Sequence, residues 1–157
     1  MSKIAPCLWF AREAEEAANF YVSLFPDSRI DHVQKNIIDT PAGKPDEVLV
    51  VNFTLAGQRF MALNGGSHIE FNHAISLEID CADQAEVDRL WDGLCNGGAP
   101  VECGWVTDRC GVSWQVVPAV LRKYIADPDP AKAARVMQAL MRMVKLDIAG
   151  LEAAYRG

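Results

Sequence analysis

Hydrophobic and polar positions follow two rhythms along this chain, and the rhythms come in the same order twice. Residues 4–10, IAPCLWF, form a short apolar run of strand character. In residues 12–25, REAEEAANFYVSLF, the period lengthens: Ala14, Ala17, Ala18, Tyr21, Leu24 and Phe25 fall on one helical stripe and the glutamates fall off it. Pro26-Asp27 ends the helix with turn chemistry. A strand is expected over 29–38, followed by a loop around DTPAGKPDE. Residues 47–64 read as a hairpin, EVLVVNFTL and QRFMALN, joined at Ala56-Gly57 and closed by Gly65-Gly66. The order is β, α, β, β, β.

It then repeats. AISLEID, residues 74–80, alternates, with Ile75, Leu77 and Ile79 on one face and Ala74, Ser76 and Glu78 on the other. Asp83 and Glu86 have the spacing of a capping box before a helix over 84–96. Its stripe is Val87, Leu90, Trp91 and Leu94, and Gly97-Gly98 ends it. Three short strands are expected at 99–103, 104–108 and 112–118, the last turn running from Asp108 to Gly111. Phe20, Tyr21 and Leu24 correspond to Leu90, Trp91 and Leu94 seventy residues later. Asp129-Pro130 then opens a tail helix whose stripe is Ala133, Val136, Met137, Leu140, Met141, Val144 and Ile148. That stripe must be buried on the chain's own sheet or on a second subunit.

The expected class is α+β: two βαβββ modules, about 1–70 and 71–120, in a domain over 1–126, with a helical extension over 127–157. Composition narrows the partners. Of 157 residues, half are hydrophobic and 23% charged, as in globular chains. A net charge of −6 argues against nucleic acid, whose phosphates need a basic face. No apolar run is long enough for a bilayer, and the N-terminus lacks signal-peptide character, so a cytoplasmic protein with no membrane partner is expected. Cys7, Cys81, Cys95, Cys103 and Cys110 are odd in number and show no CxxC or CxxxC pair, which favours free thiols.

The segments CLWFAREAEEAANFYVSLFPDSRI, LAGQRFMALNGG, CGWVTDRCGVSWQVVP and DPDPAKAARVMQALM together resemble the PhnB-like family. That family is a branch of the vicinal-oxygen-chelate (glyoxalase/bleomycin-resistance/dioxygenase) superfamily, and many members carry the label 3-demethylubiquinone-9 3-methyltransferase. The resemblance implies paired modules in a curved mixed sheet around a cavity, and commonly a homodimer. Metal-dependent superfamily members take His, Glu or Gln from the first and last strands of each module.

Here the matching positions are Ala5 or Pro6, Leu63 or Asn64, Ala74 and Gln115, of which only Gln115 and Asn64 bear a donor side chain. His32, His68 and His73 make no metal pattern, so no metal and no other cofactor is expected. The chain has no GxG, so a nucleoside-binding turn for S-adenosylmethionine is not expected either. Cys103 and Cys110 have no adjacent His to activate them as nucleophiles, and Asp108 reads as a turn former.

Alternation puts Ser76 and Gln115 on one face, with Ile75, Leu77, Trp114 and Val116 toward the helices, and puts Cys7 and Trp9 together on the first strand. The candidate ligand-binding residues are therefore Cys7, Trp9, Asn64, Ser76 and Gln115, in an apolar-aromatic cavity suited to a small aromatic or quinone-like molecule. A metal-independent binding protein is the reading these residues favour. A lyase, isomerase or dioxygenase of the superfamily is the alternative, and methyl transfer the more distant one.

Overall fold

A computed structural model describes residues 3–157. They divide into two compact units, one ending at Glu70 and the other running from Phe71 to Gly157.

The first unit contains β1 (Cys7–Phe10), α1 (Ala14–Leu24), β2 (Arg29–Lys35), β3 (Val48–Leu55) and β4 (Gln58–Asn64). Its sheet has the order β1-β4-β3-β2, with β1 parallel to β4 and the other pairs antiparallel. The β3–β4 turn places both Ala56 (φ 44°) and Gly57 (φ 82°) in the left-handed region, the geometry that follows the strand twist in a two-residue hairpin. One face of the sheet is dry. Leu8, Phe10, Val51, Phe53, Phe60 and Ala62 are buried there together with Ala14, Ala17, Ala18 and Tyr21 of α1. The small alanines let the helix approach, and Tyr21, Phe53 and Phe60 stack across the interface.

The second unit repeats the plan with β5 (Leu77–Cys81), α2 (Gln84–Cys95), β6 (Ala99–Pro100), β7 (Trp105–Thr107) and β8 (Ser113–Pro118), in the order β5-β8-β7-β6. The expected cap forms at α2: Asp83 Oδ1 accepts from Glu86 N–H at 2.9 Å, and Glu86 Oε2 accepts from Ala82 N–H at 2.8 Å. Val87, Leu90, Trp91 and Leu94 are buried with Val106, Trp114 and Val116.

Three expectations require correction. The fifth strand starts at Leu77, not residue 74: Asn72 Oδ1 accepts from Ala74 N–H at 2.9 Å, and this Asx turn leaves Ile75 79% exposed instead of facing the helices. The strands at 99–103 and 104–108 are shorter because Glu102–Gly104 forms a turn, with Cys103 and Gly104 at positive φ. The tail is not one helix. After α3 (Val120–Ile125) it forms α4 (Pro130–Leu140) and α5 (Ile148–Arg156), and Leu146, between them, is buried with Leu121, Tyr124, Val136 and Leu151. Of the expected stripe, Val136 is thus buried within the same unit, Ala133, Leu140 and Ile148 are half-buried, and Met137, Met141 and Val144 are exposed. Among the described residues no helix is long and apolar enough to cross a membrane.

Candidate functional site

Each unit has a second sheet face, opposite α1 in the first and α2 in the second, and the sequence candidates divide between them; in the second unit the tail helices pack on one end of that face, against Val117. In the first unit the strand register builds two rows on that face. Cys7, Met61, Asn52 and His32 are cross-strand neighbours, as are Trp9, Leu63, Val50 and Gln34. Cys7 and Trp9 do share one face, as Leu8 and Phe10 are turned to the core. Trp9 donates its indole N–H to Ser67 O at 2.8 Å. Its ring lies so close to Gly65 that a Cβ there would stand 1.9 Å from it, so glycine is required for the chain to pass over the indole. A recess of about 320 Å3 is lined by His32, Asn52 and Met61 with Ala5, Asp31 and Arg59. Cys7 is exposed, but desolvation of its sulfur raises the thiol above its ordinary value, which disfavours a thiolate nucleophile.

Asn64 is elsewhere. It pairs with Phe10 and is 4% exposed on the helix side, where its Oδ1 accepts from Ala14 N–H at 2.9 Å and its Nδ2 donates to Val48 O at 2.9 Å. Glu13, at the N-cap, makes no side-chain cap, so Asn64 supplies from β4 an acceptor that α1 does not provide for itself. It also lines a charged cleft of about 470 Å3 with Arg12, Glu15, Lys35, Asp46 and Glu47.

In the second unit, Gln115 Nε2 donates to Ser76 Oγ at 2.8 Å, so two candidates chosen from alternation are in contact. Gln115 lies between Glu78 of β5 and Trp105 of β7. Glu78 is engaged by Arg122, which also reaches Asp80 at 2.9 Å. His73 Nδ1 is 2.7 Å from Ser113 Oγ, and its ring meets Trp105 edge-on at 6.0 Å between centroids. The face thus carries an indole, an amide–hydroxyl pair and an imidazole–hydroxyl pair.

Read from the sequence, His73 is one of three histidines with no metal pattern and sits one residue ahead of the expected strand, where a one-residue step turns a side chain to the other face; the Asx turn at Asn72 replaces that start of the strand and leaves His73 beside Ser113. The Asn-His-Ala order at 72–74 was the available signal. Trp114, by contrast, is core: its indole N–H donates to Asp108 Oδ2 at 2.8 Å, while Asp108 Oδ1 accepts from the N–H groups of Cys110 and Val112. Asp108 is a turn former, as expected, and it also satisfies a buried indole. Cys81 is buried and pushed up to about 12 by desolvation and then by Glu86, which leaves it a packed thiol.

Of the positions that the resemblance matches to metal ligands, Ala5, Pro6, Leu63 and Ala74 offer no side-chain donor and Asn64 is engaged on the helix side, while Gln115 directs its amide nitrogen at Ser76 and keeps its amide oxygen as a donor. Among the described residues no three His, Cys, Asp or Glu side chains group as a metal site.

Comparison with known proteins gives one family. The model described as 3-demethylubiquinone-9 3-methyltransferase matches residues 2–117. The chain is similar to the solved PhnB protein from Bacillus cereus, at 34% identity over 73% of this chain and 97% of that one, with a TM-score of 0.65. Protein PA1353 from Pseudomonas aeruginosa has a similar fold, at 22% identity over 73% of this chain and 95% of that one, with a TM-score of 0.60. No curated protein matches the chain.

Proposed function

The chain belongs to the 3-demethylubiquinone-9 3-methyltransferase (PhnB-like) family of the vicinal-oxygen-chelate superfamily, and from that premise we propose that it binds a small, largely apolar organic molecule without a metal ion. The observation that carries the reading is the part of the second unit's sheet that neither α2 nor the tail helices cover, beside the end where α3 holds Glu78 through Arg122. There Trp105 offers a π-surface beside the Ser76–Gln115 pair and the His73–Ser113 pair. An apolar platform with a few fixed polar groups is the usual composition of a small-molecule site. Trp9, Leu63, Val50, Met61 and Cys7 give the first unit's face a similar character. Asn64 enters as a positioning residue that holds α1 to the end of β4.

Methyl transfer, which the family description names, has little support in the architecture. A typical S-adenosylmethionine site stands at a Gly-rich turn in a doubly wound parallel sheet. Here the parallel pairs are confined to β1–β4 and β5–β8, and the other neighbours are antiparallel. The second reading is a superfamily enzyme of lyase, isomerase or dioxygenase type. Its support is His73, a proton-transfer group held 2.7 Å from Ser113.

A panel of mono- and bicyclic aromatics that includes 1,4-naphthoquinone, titrated against the tryptophan fluorescence, tests the binding reading. We expect saturable quenching that Gln115→Ala weakens by about 1–2 kcal/mol, the size of one lost polar contact. Quenching of equal strength in Gln115→Ala and Trp105→Leu proteins would contradict it.

A further inference from the structure

The turn Glu102–Gly104 is clamped to the segment that follows α4. Cys103 N–H donates to Met143 O and Gly104 N–H to Val144 O, both at 2.8 Å. A Cβ on Gly104 would lie 2.9 Å from Leu146 Cγ, so the clamp sits directly on the buried tail core. Its consequence at the surface is a pair of sulfurs: Cys103 Sγ stands 3.9 Å from Met141 Sδ. Met141, at the C-cap of α4, is 64% exposed, and Met137 lies four residues earlier, on the same side of the helix, and is 39% exposed. Cys103 is half-buried and free. The ligand-binding reading uses none of these groups.

We propose that Cys103 and Met141 form a binding site for a soft monovalent metal ion, Cu(I) or its analogue Ag(I). The donor chemistry selects the ion. A thiolate and a thioether are soft ligands, whereas the borderline and hard divalent ions call for imidazole or carboxylate partners that do not group here. The spacing fits as well. With metal–sulfur bonds of about 2.3 Å, as for zinc thiolates, sulfurs 3.9 Å apart subtend roughly 116° at the ion. That is near the trigonal angle without movement of either residue. Binding releases the Cys103 proton to solvent, and the thiolate cancels the single positive charge of the ion.

The test is an anaerobic titration of the reduced full-length protein with Cu(I), in competition with a chromophoric Cu(I) chelator, for wild type, Cys103→Ser, Met141→Leu and Cys7→Ser. We expect one retained equivalent. Its affinity falls about 100-fold in Cys103→Ser and about 10-fold in Met141→Leu, as soft donors are withdrawn. Cys7→Ser, which removes the exposed thiol of the first unit, leaves it unchanged. Met141 is exposed, so its leucine variant keeps the fold, and a Met ε-methyl shift on adding Ag(I) reports the thioether bond directly. Equal affinity in wild type and Met141→Leu, or a loss in Cys7→Ser as large as in Cys103→Ser, would overturn the assignment.

Discussion

At the scale of single residues, Asn64 caps a helix fifty residues away in sequence: its Oδ1 takes the Ala14 N–H, and Glu13 at the N-cap makes no side-chain cap. Replacing Asn64 with Ala strands the Ala14 N–H and the Val48 carbonyl together. The expected cost is about 2–3 kcal/mol in urea denaturation, the sum of a lost cap and an unsatisfied partner. A loss under about 0.5 kcal/mol would show that water takes over both groups. Nothing local in the sequence announces this cap, because its two halves lie in different elements. Ser76 and Gln115 were legible as neighbours because the alternation of β8, and of the residues that lead into β5, is a local property, and they are hydrogen-bonded at 2.8 Å.

At the scale of elements, the two module helices were legible because each carries a clean stripe bounded by strong stop signals, and the capping pair Asp83–Glu86 fixed where the second begins. The tail misled because its apolar residues keep three- and four-residue steps across a break that no proline or glycine marks. What breaks it is tertiary: Leu146 is drawn into the core, Lys145 pairs with Asp88 at 2.7 Å, and Ile148 N–H is taken by Gln84 Oε1. A further tie gives the tail a pH signature. Tyr155 donates to Asp127 Oδ2 at 2.5 Å and stacks on Tyr124. The Tyr155 hydroxyl, and secondly Asp129 N–H, hold the Asp127 carboxyl below its usual range; the same bond raises the Tyr155 hydroxyl. A depressed carboxyl contributes stability above its unfolded value of about 3.9 and loses it as pH falls through the lower folded value. A raised phenol contributes below its unfolded value of about 10 and loses it as pH rises through the higher folded value. Melting temperatures of wild type and Tyr155→Phe should therefore differ by a constant amount from about pH 5 to 9 and converge toward both extremes. A difference that does not vary with pH would remove the bond from the account.

At the scale of the whole molecule, the twofold βαβββ order was readable because both copies punctuate their elements with Gly, Pro and Asp turns, whereas the sheet faces opposite α1 and α2 emerge only from register between strands distant in sequence. We propose a homodimer, on the family resemblance and on the exposed Ile37, Ile38 and Ile75. The stripe of the tail, expected to be buried on the chain's own sheet or on a second subunit, has Val136 in a core of its own unit. Light scattering should give twice the 17.2 kDa chain mass, and a monomer would reject the proposal. A chain ending at Asp127 should lose stability, because Leu121 and Tyr124 are then uncovered. Binding without a metal is measured by calorimetric titration of 1,4-naphthoquinone and related aromatics into protein stripped by chelator and verified metal-free by elemental analysis. Saturable binding that added Zn, Ni, Mn or Fe leaves unchanged is expected. Binding that appears only with one equivalent of such an ion, and is lost with that ion in Gln115→Ala, would contradict it.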